Sequence, residues 1–275
     1  MTVILRFVDT LVSPIKIDEH FLEFLMVDNT SRKGLFDELL SILRKYDLEV
    51  DDVRGQGYDN GSNMKGNKQG VQKRLLDLNP RAFYTPCGCH SLNLVLCDMA
   101  NSCSKAISFF GVVQRIYSLF ASSTKRWKVL LDYVTLTPKP LSQTRWESRI
   151  ESVKALKFQA PKIRDALLRL AEVSEDPKTR SEAKCLATYE IESFEFILGM
   201  NIWYEVLFAV NSVSKSLQLE NMHIDLAMDK LKGLISYFKN YRNGFNSALD
   251  SSKQVAVEME IEPTFRKKRV IHRKK

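Results

Sequence analysis

The chain has 275 residues, 44% of them hydrophobic and 27% charged, which suits a soluble globular protein with one large domain or two ordinary ones. Five cysteines, an odd number gathered mostly between Cys87 and Cys103, argue against a disulfide framework and for a reducing compartment. The net charge of +8 is concentrated at one end, because Arg266, Lys267, Lys268, Arg269, Arg273, Lys274 and Lys275 leave 34 basic against 33 acidic residues in the remainder.

From the start of the chain, Met1 leads directly into Thr2-Val3-Ile4-Leu5-Arg6-Phe7, with no basic lead or small-residue cleavage site of a secretory signal. Thr2 to Asp9 reads as a strand, and Pro14 to Val27 as a second, joined at Leu11-Val12-Ser13-Pro14 as a hairpin. Lys33 to Tyr46 has helical spacing, with Leu35, Leu39, Leu40 and Leu43 on one stripe. Val50 to Tyr58 is a short run ahead of a glycine-rich turn, and Gly66 to Leu78 is predicted to be a helix stopped by Asn79-Pro80. Ala82 to Pro86 is a strand candidate and Ser91 to Met99 a helix candidate.

Beyond about residue 103 the strand signals fade. Helices are predicted over 107–120, 127–134, 146–156, 162–173, 181–218 and 224–238, the fifth broken near Gly199. The two prolines of Thr135-Leu136-Thr137-Pro138-Lys139-Pro140 oppose helix between the second and third. The most apolar stretch, Phe194 to Val210, carries Glu195 and Glu205 and is not expected to span a membrane.

Chemistry concentrates in Gly55-Gln56-Gly57-Tyr58-Asp59-Asn60-Gly61-Ser62-Asn63-Met64-Lys65-Gly66 and in Cys87-Gly88-Cys89-His90. Asp59 stands where a strand pattern gives way to a helical one. It reads either as a ligand for a hard divalent cation or as a turn residue, with Gly61 tolerating positive φ. The glycine spacing matches neither the dinucleotide fingerprint nor a P-loop. Cys87, Cys89, His90 and Cys97 lack the paired spacing of common zinc sites, and Cys97 on a helix reads equally as a small buried hydrophobe. Trp146, after Arg145, is either a stacking platform for an exposed base or the apolar start of a helix. The basic tail reads as a nuclear-import signal or phosphate-binding arm, or as a solvated linker.

Taken in order, Asp-Asn-Gly-Ser-Asn-Met-x-Gly at 59–66, Gly70-Val71-Gln72, Cys87-x-x-His90 followed by Leu92-Asn93-Leu94, and Arg145-Trp146 resemble the hAT superfamily of DNA transposases. The likeness is greatest to transposase-derived proteins with zinc-finger MYM-type or DUF4371 regions. The resemblance implies a ribonuclease H-like sheet carrying an Asp-Asp-Glu triad and interrupted by a helical insertion domain. It implies that Asp59 is the second acidic residue of that triad and that Cys87 and His90 form a site-adjacent element. Trp146 would be the insertion-domain tryptophan associated with a flipped base or hairpin end.

The resemblance also implies Mg or Mn in intact relatives. Their first aspartate belongs to a strand expected before Thr2, and no Ser-Glu-Arg-like context of the catalytic glutamate occurs before Lys275. The expectation is an α/β plus all-α chain, truncated at both ends. An incomplete ribonuclease H-like region would cover 1–102, a helical insertion domain 103–250, and a basic linker or tail 251–275. One carboxylate cannot readily hold two metal ions, so no stably bound metal and no strand cleavage are expected of this chain alone. Expected partners are DNA, through Arg145, Trp146 and the tail, and a transposase-like protein, with nuclear location and no membrane. The alternative is a domesticated DNA-binding or protein-interaction module without catalysis.

Overall fold

The computed structural model describes residues 1–142, 147–219 and 222–266, apart from the side chain of Ser148. The chain forms two compact units, Met1–Ser91 and Leu92–Lys275. The division precedes the expected one after residue 102, because Leu96 and Ala100, on a helix read as part of the first region, are buried in the core of the second unit.

In the first unit, β1 (Thr2–Asp9) and β2 (Lys16–Phe24) form an antiparallel hairpin, in register from Thr2 opposite Phe24 to Asp9 opposite Lys16, with a bulge between Val3 and Ile4. Helix α1 (Arg32–Lys45) starts where the Ser31 hydroxyl accepts a hydrogen bond from Gly34 N at 3.1 Å. Gly34 is required there, since a Cβ would fall 2.4 Å from the Asn29 carbonyl oxygen. Leu35, Leu39 and Leu40 of the predicted stripe of α1 pack on a small core of Phe36, Val71, Leu75 and Ala82, while Leu43 is buried outside it.

A short strand β3 (Gly55–Tyr58) follows, then the one-turn helix α2 (Ser62–Lys65), α3 (Val71–Leu78) and β4 (Phe83–Pro86). Strands β3 and β4 pair in parallel, as a helical crossover permits. Buried side-chain amides fasten this crossover. Gln56 Nε2 donates to the carbonyls of Gln72 and Ala82 at 3.1 and 2.9 Å, and Asn79 Nδ2 to those of Val50 and Val53 at 2.7 Å each. The unit is thus α/β, but its strands form two separate two-stranded sheets among the described residues, where a single ribonuclease H-like sheet was expected.

Helix α4 (Gly88–Asn101) spans the boundary between the units. The second unit continues with α5 (Ser104–Ala121), α6 (Thr124–Leu131) and α7 (Glu147–Val173). These are followed by α8 (Pro177–Cys185), a π-helical turn at Leu186–Ile191, α9 (Phe194–Leu217), α10 (Ile224–Asn243) and α11 (Phe245–Glu258). Its core joins Phe110, Ile116 and Phe120 of α5, Leu156, Ile163 and Leu167 of α7, and Ile197, Met200 and Leu207 of α9.

Three expectations change here. The helices predicted over 146–156 and 162–173 are one element kinked at Gln159 (φ −140°, ψ 24°), two residues before Pro161, whose ring opposes straight helix. Gln159 Oε1 accepts from the amides of Thr135 and Leu136 at 2.8 and 3.2 Å, so the proline loop is held at the kink. The break predicted near Gly199 lies instead before α9, at the extended Ser193 (φ −83°, ψ 126°). Gly199 is inside the helix, where a Cβ would stand 3.2 Å from Phe109 Cδ2, and permits close approach of α5. Finally, residues 251–258, expected as linker, finish α11, burying Ser252 and Ala256; Asn201 Nδ2 donates to Ser252 Oγ at 2.9 Å.

Helix α9 has 24 residues and a mean hydropathy of 1.4 in its most apolar window, enough by length and composition to cross a membrane. Its apolar side chains are instead shared with α5, α7 and α11 in the core.

Candidate functional site

The C-terminal ends of β3 and β4 lie side by side, the position at which parallel α/β units commonly gather functional groups. Cys87 N donates to the Tyr58 carbonyl at 3.0 Å and extends the ladder by one bond, which sets Asp59 and Cys87 at adjacent strand ends. Asp59 Oδ1 accepts from Gly61 N at 2.9 Å, closing an Asx turn. The glycine serves a purpose other than the expected positive φ. Its φ is −57°, and a Cβ there would lie 2.9 Å from that same Oδ1.

Asn60, from the turn motif, and two residues that the sequence reading did not single out, Ser91 and Tyr84, complete the cluster. Asn60 Nδ2 donates to Ser91 Oγ at 2.9 Å, and Ser91 Oγ donates to the Cys87 carbonyl at 3.0 Å, tying the Asp59 turn to the first turns of α4. Tyr84 lies beneath, its ring 6.2 Å from that of Tyr58 and nearly parallel to it. Burial, then the charges of Asp59 and Cys87, pushes the Tyr84 hydroxyl above its ordinary pKa. Burial also pushes Tyr58 up to about 12, with Tyr84 adding to the effect. The Tyr84 hydroxyl and Asn60 Oδ1 are both buried without a protein partner, an arrangement suited to receiving a polar group. Tyr84 stands three residues before Cys87, in a segment read only as a strand candidate.

Of the predicted site residues, Asp59 and Cys87 are brought together at the strand ends, and His90 is in the first turn of α4. Cys97 is partly buried against the second unit's core. Among the described residues no three His, Cys, Asp or Glu side chains group to hold a metal ion. A pair of divalent ions needs several carboxylate oxygens, and Asp59 offers two, one already engaged by Gly61 N; the residues do not fit a two-metal centre.

Arg145, Trp146 and the tail residues Lys267, Lys268, Arg269, Arg273, Lys274 and Lys275 lie outside the described residues. Arg266 is described: its guanidinium sits 4.0 Å from the ring centre of Tyr189, on the π-helical turn, while Phe265 packs edge-on against Phe194 at 5.2 Å. Arg266 is thus held on the helical unit.

Residues 1–70 match the family model described as DUF4371: ZMYM1/FAM200, RNase-like domain. The match covers the hairpin, α1, β3 and the Asp59 turn, ends before β4, and supports kinship with transposase-derived proteins. No solved structure matches the chain.

Proposed function

We propose that this protein is a hAT-type, transposase-derived DNA-binding protein that does not cleave DNA strands by itself. The carrying observation is the Asp59 turn, within an RNase-like match and followed at the next strand end by Cys87, with no metal-holding group of three His, Cys, Asp or Glu side chains among the described residues. The strand-end cluster serves as a polar contact surface through the exposed Asp59 carboxylate, whose turn is tied to α4 by Asn60 and Ser91.

Incubating the purified chain with supercoiled DNA and Mg²⁺ or Mn²⁺ tests the first half. No nicking above background is expected from wild type or from Asp59→Asn. Metal-dependent nicking that disappears in Asp59→Asn would overturn the proposal, since asparagine retains the acceptor that closes the turn.

DNA contact is assigned to Arg145, Trp146 and the basic tail. Replacing Lys267, Lys268, Arg269, Arg273, Lys274 and Lys275 by alanine leaves Arg266 on Tyr189 and removes six positive charges. The slope of log affinity against log salt should flatten by about 0.9 for each duplex phosphate that is no longer neutralised. An unchanged slope would remove the tail from the interface. The same variant tests nuclear location, which rests on this tail: a tagged wild-type chain should accumulate in the nucleus and the variant should not.

A further inference from the structure

We propose that one face of the β1–β2 hairpin is a homodimer seam. Residues directly opposite in an antiparallel pair share a face, so the register places Ile4, Val8, Ile17, Phe21 and Phe24 together. Their exposures are 59, 56, 42, 53 and 77%. The Phe21 and Phe24 rings touch at 4.8 Å, which continues the apolar surface past the bulge. Two strands alone make a marginal sheet, and exposed apolar side chains gathered on one face mark an interaction surface.

The charges select the occupant. At the centre of this face Arg6 pairs with Glu19 at 3.7 Å, both about half exposed, between an Ile4/Phe21 layer and a Val8/Ile17 layer. Stack two such faces at about 10 Å with a two-fold axis running along the strands. Strand β1 of one copy then lies over β2 of the other at unchanged register. Arg6 meets the second copy's Glu19, Ile4 its Phe21 and Val8 its Ile17, and each contact occurs twice, as two-fold symmetry requires. An axis running across the strands would set Arg6 over Arg6 and is disfavoured. The face is thus complementary to itself in one orientation, a property that a partner of unrelated sequence does not explain. This surface is on the hairpin, independent of the Asp59 cluster and of the DNA-binding reading.

Sedimentation analysis of the full chain over a concentration series provides the test. Wild type should show a monomer–dimer equilibrium. Arg6→Glu and Glu19→Arg should each weaken dimerisation at least about tenfold, by setting like charges face to face. An equimolar mixture of the two single variants should recover dimer, because the wholly acidic centre of one face complements the wholly basic centre of the other. The double exchange, which keeps the pair within each copy, should dimerise as wild type does and guards against misfolding of the single variants; circular dichroism of each checks its fold. A chain that stays monomeric to about 100 μM, a dimer indifferent to Arg6→Glu, or failure of both the mixture and the double exchange to restore association would overturn the proposal.

Discussion

At the scale of single residues, the buried polar groups of the first unit have their cost of burial met unevenly. Asn79 spends its amide on two backbone carbonyls and accepts from Arg81 N at 3.0 Å, whereas Tyr84 and Asn60 each keep an unmatched buried atom. Tyr58 makes a measurable case. Its hydroxyl is pushed from 10.0 to about 12 in the folded state, so the folded protein holds a proton that the unfolded chain has already released over that interval. The stabilising contribution is complete below pH 10 and is lost as pH rises towards 12, amounting to roughly 2–3 kcal/mol. Urea titrations across that range should show wild type losing stability more steeply than Tyr58→Phe. Parallel slopes would mean that the phenol is not held protonated by its surroundings. Tyr241, pushed up to about 12 mainly by burial, supplies part of the slope that remains in the variant.

At the scale of elements, the helical unit depends on close approach at specific positions. Gly199 has no side chain to keep α9 from the Phe109 ring of α5, and the aromatic contacts of Phe109 with Phe110 and Phe196 fix that ring on both sides. Gly199→Leu is expected to cost about 1–3 kcal/mol by overpacking, despite the better helix propensity of leucine. A stability equal to or above wild type in thermal or urea unfolding would show that the helices part without penalty. The kink of α7 follows the same logic in reverse. Pro161 breaks regular hydrogen bonding, and Gln159 turns the irregular backbone into a binding point for the Thr135–Leu136 loop. On the outer side, Arg115 bridges Glu182 and Glu190 at 2.9 and 2.8 Å and links α5 to α8 and the π-helical turn. All three side chains are partly exposed, so solvent screens most of the Coulomb energy and the bridge steers register more than it stabilises.

At the scale of the molecule, the two units have unequal cores. The helical unit carries a continuous cluster through α5, α7 and α9, while the first unit relies on a cluster of four buried apolar side chains and a hairpin with its apolar face open. At concentrations where the chain is monomeric, amide hydrogen exchange should therefore be slowest in α5, α7 and α9 and fastest, among regular elements, in β1 and β2. Protection of the hairpin equal to that of α9 would show that it is covered along its length, contrary to an open face in the monomer.

The sequence carried most element identities, because hydrophobic pattern is a local property: β1 and α1 follow directly from a β-branched, apolar run and from the Leu35-Leu39-Leu43 spacing. It also placed Asp59 at a strand end, through glycine and Asx turn chemistry that acts over three residues. What local pattern does not contain is the partner across space. Gly199 reads as a breaker until Phe109 is beside it, residues 251–258 read as linker until Ser252 meets Asn201, and Tyr84 is an ordinary strand residue until Asp59 and Cys87 stand near its hydroxyl. The tertiary structure decided those three, and with them the separation of the strands into two pairs, because each depends on contacts between residues far apart in the chain. For the Asp59 turn the sequence supplied the carboxylate, and the fold determined that an amide and a phenol, those of Asn60 and Tyr84, stand beside it.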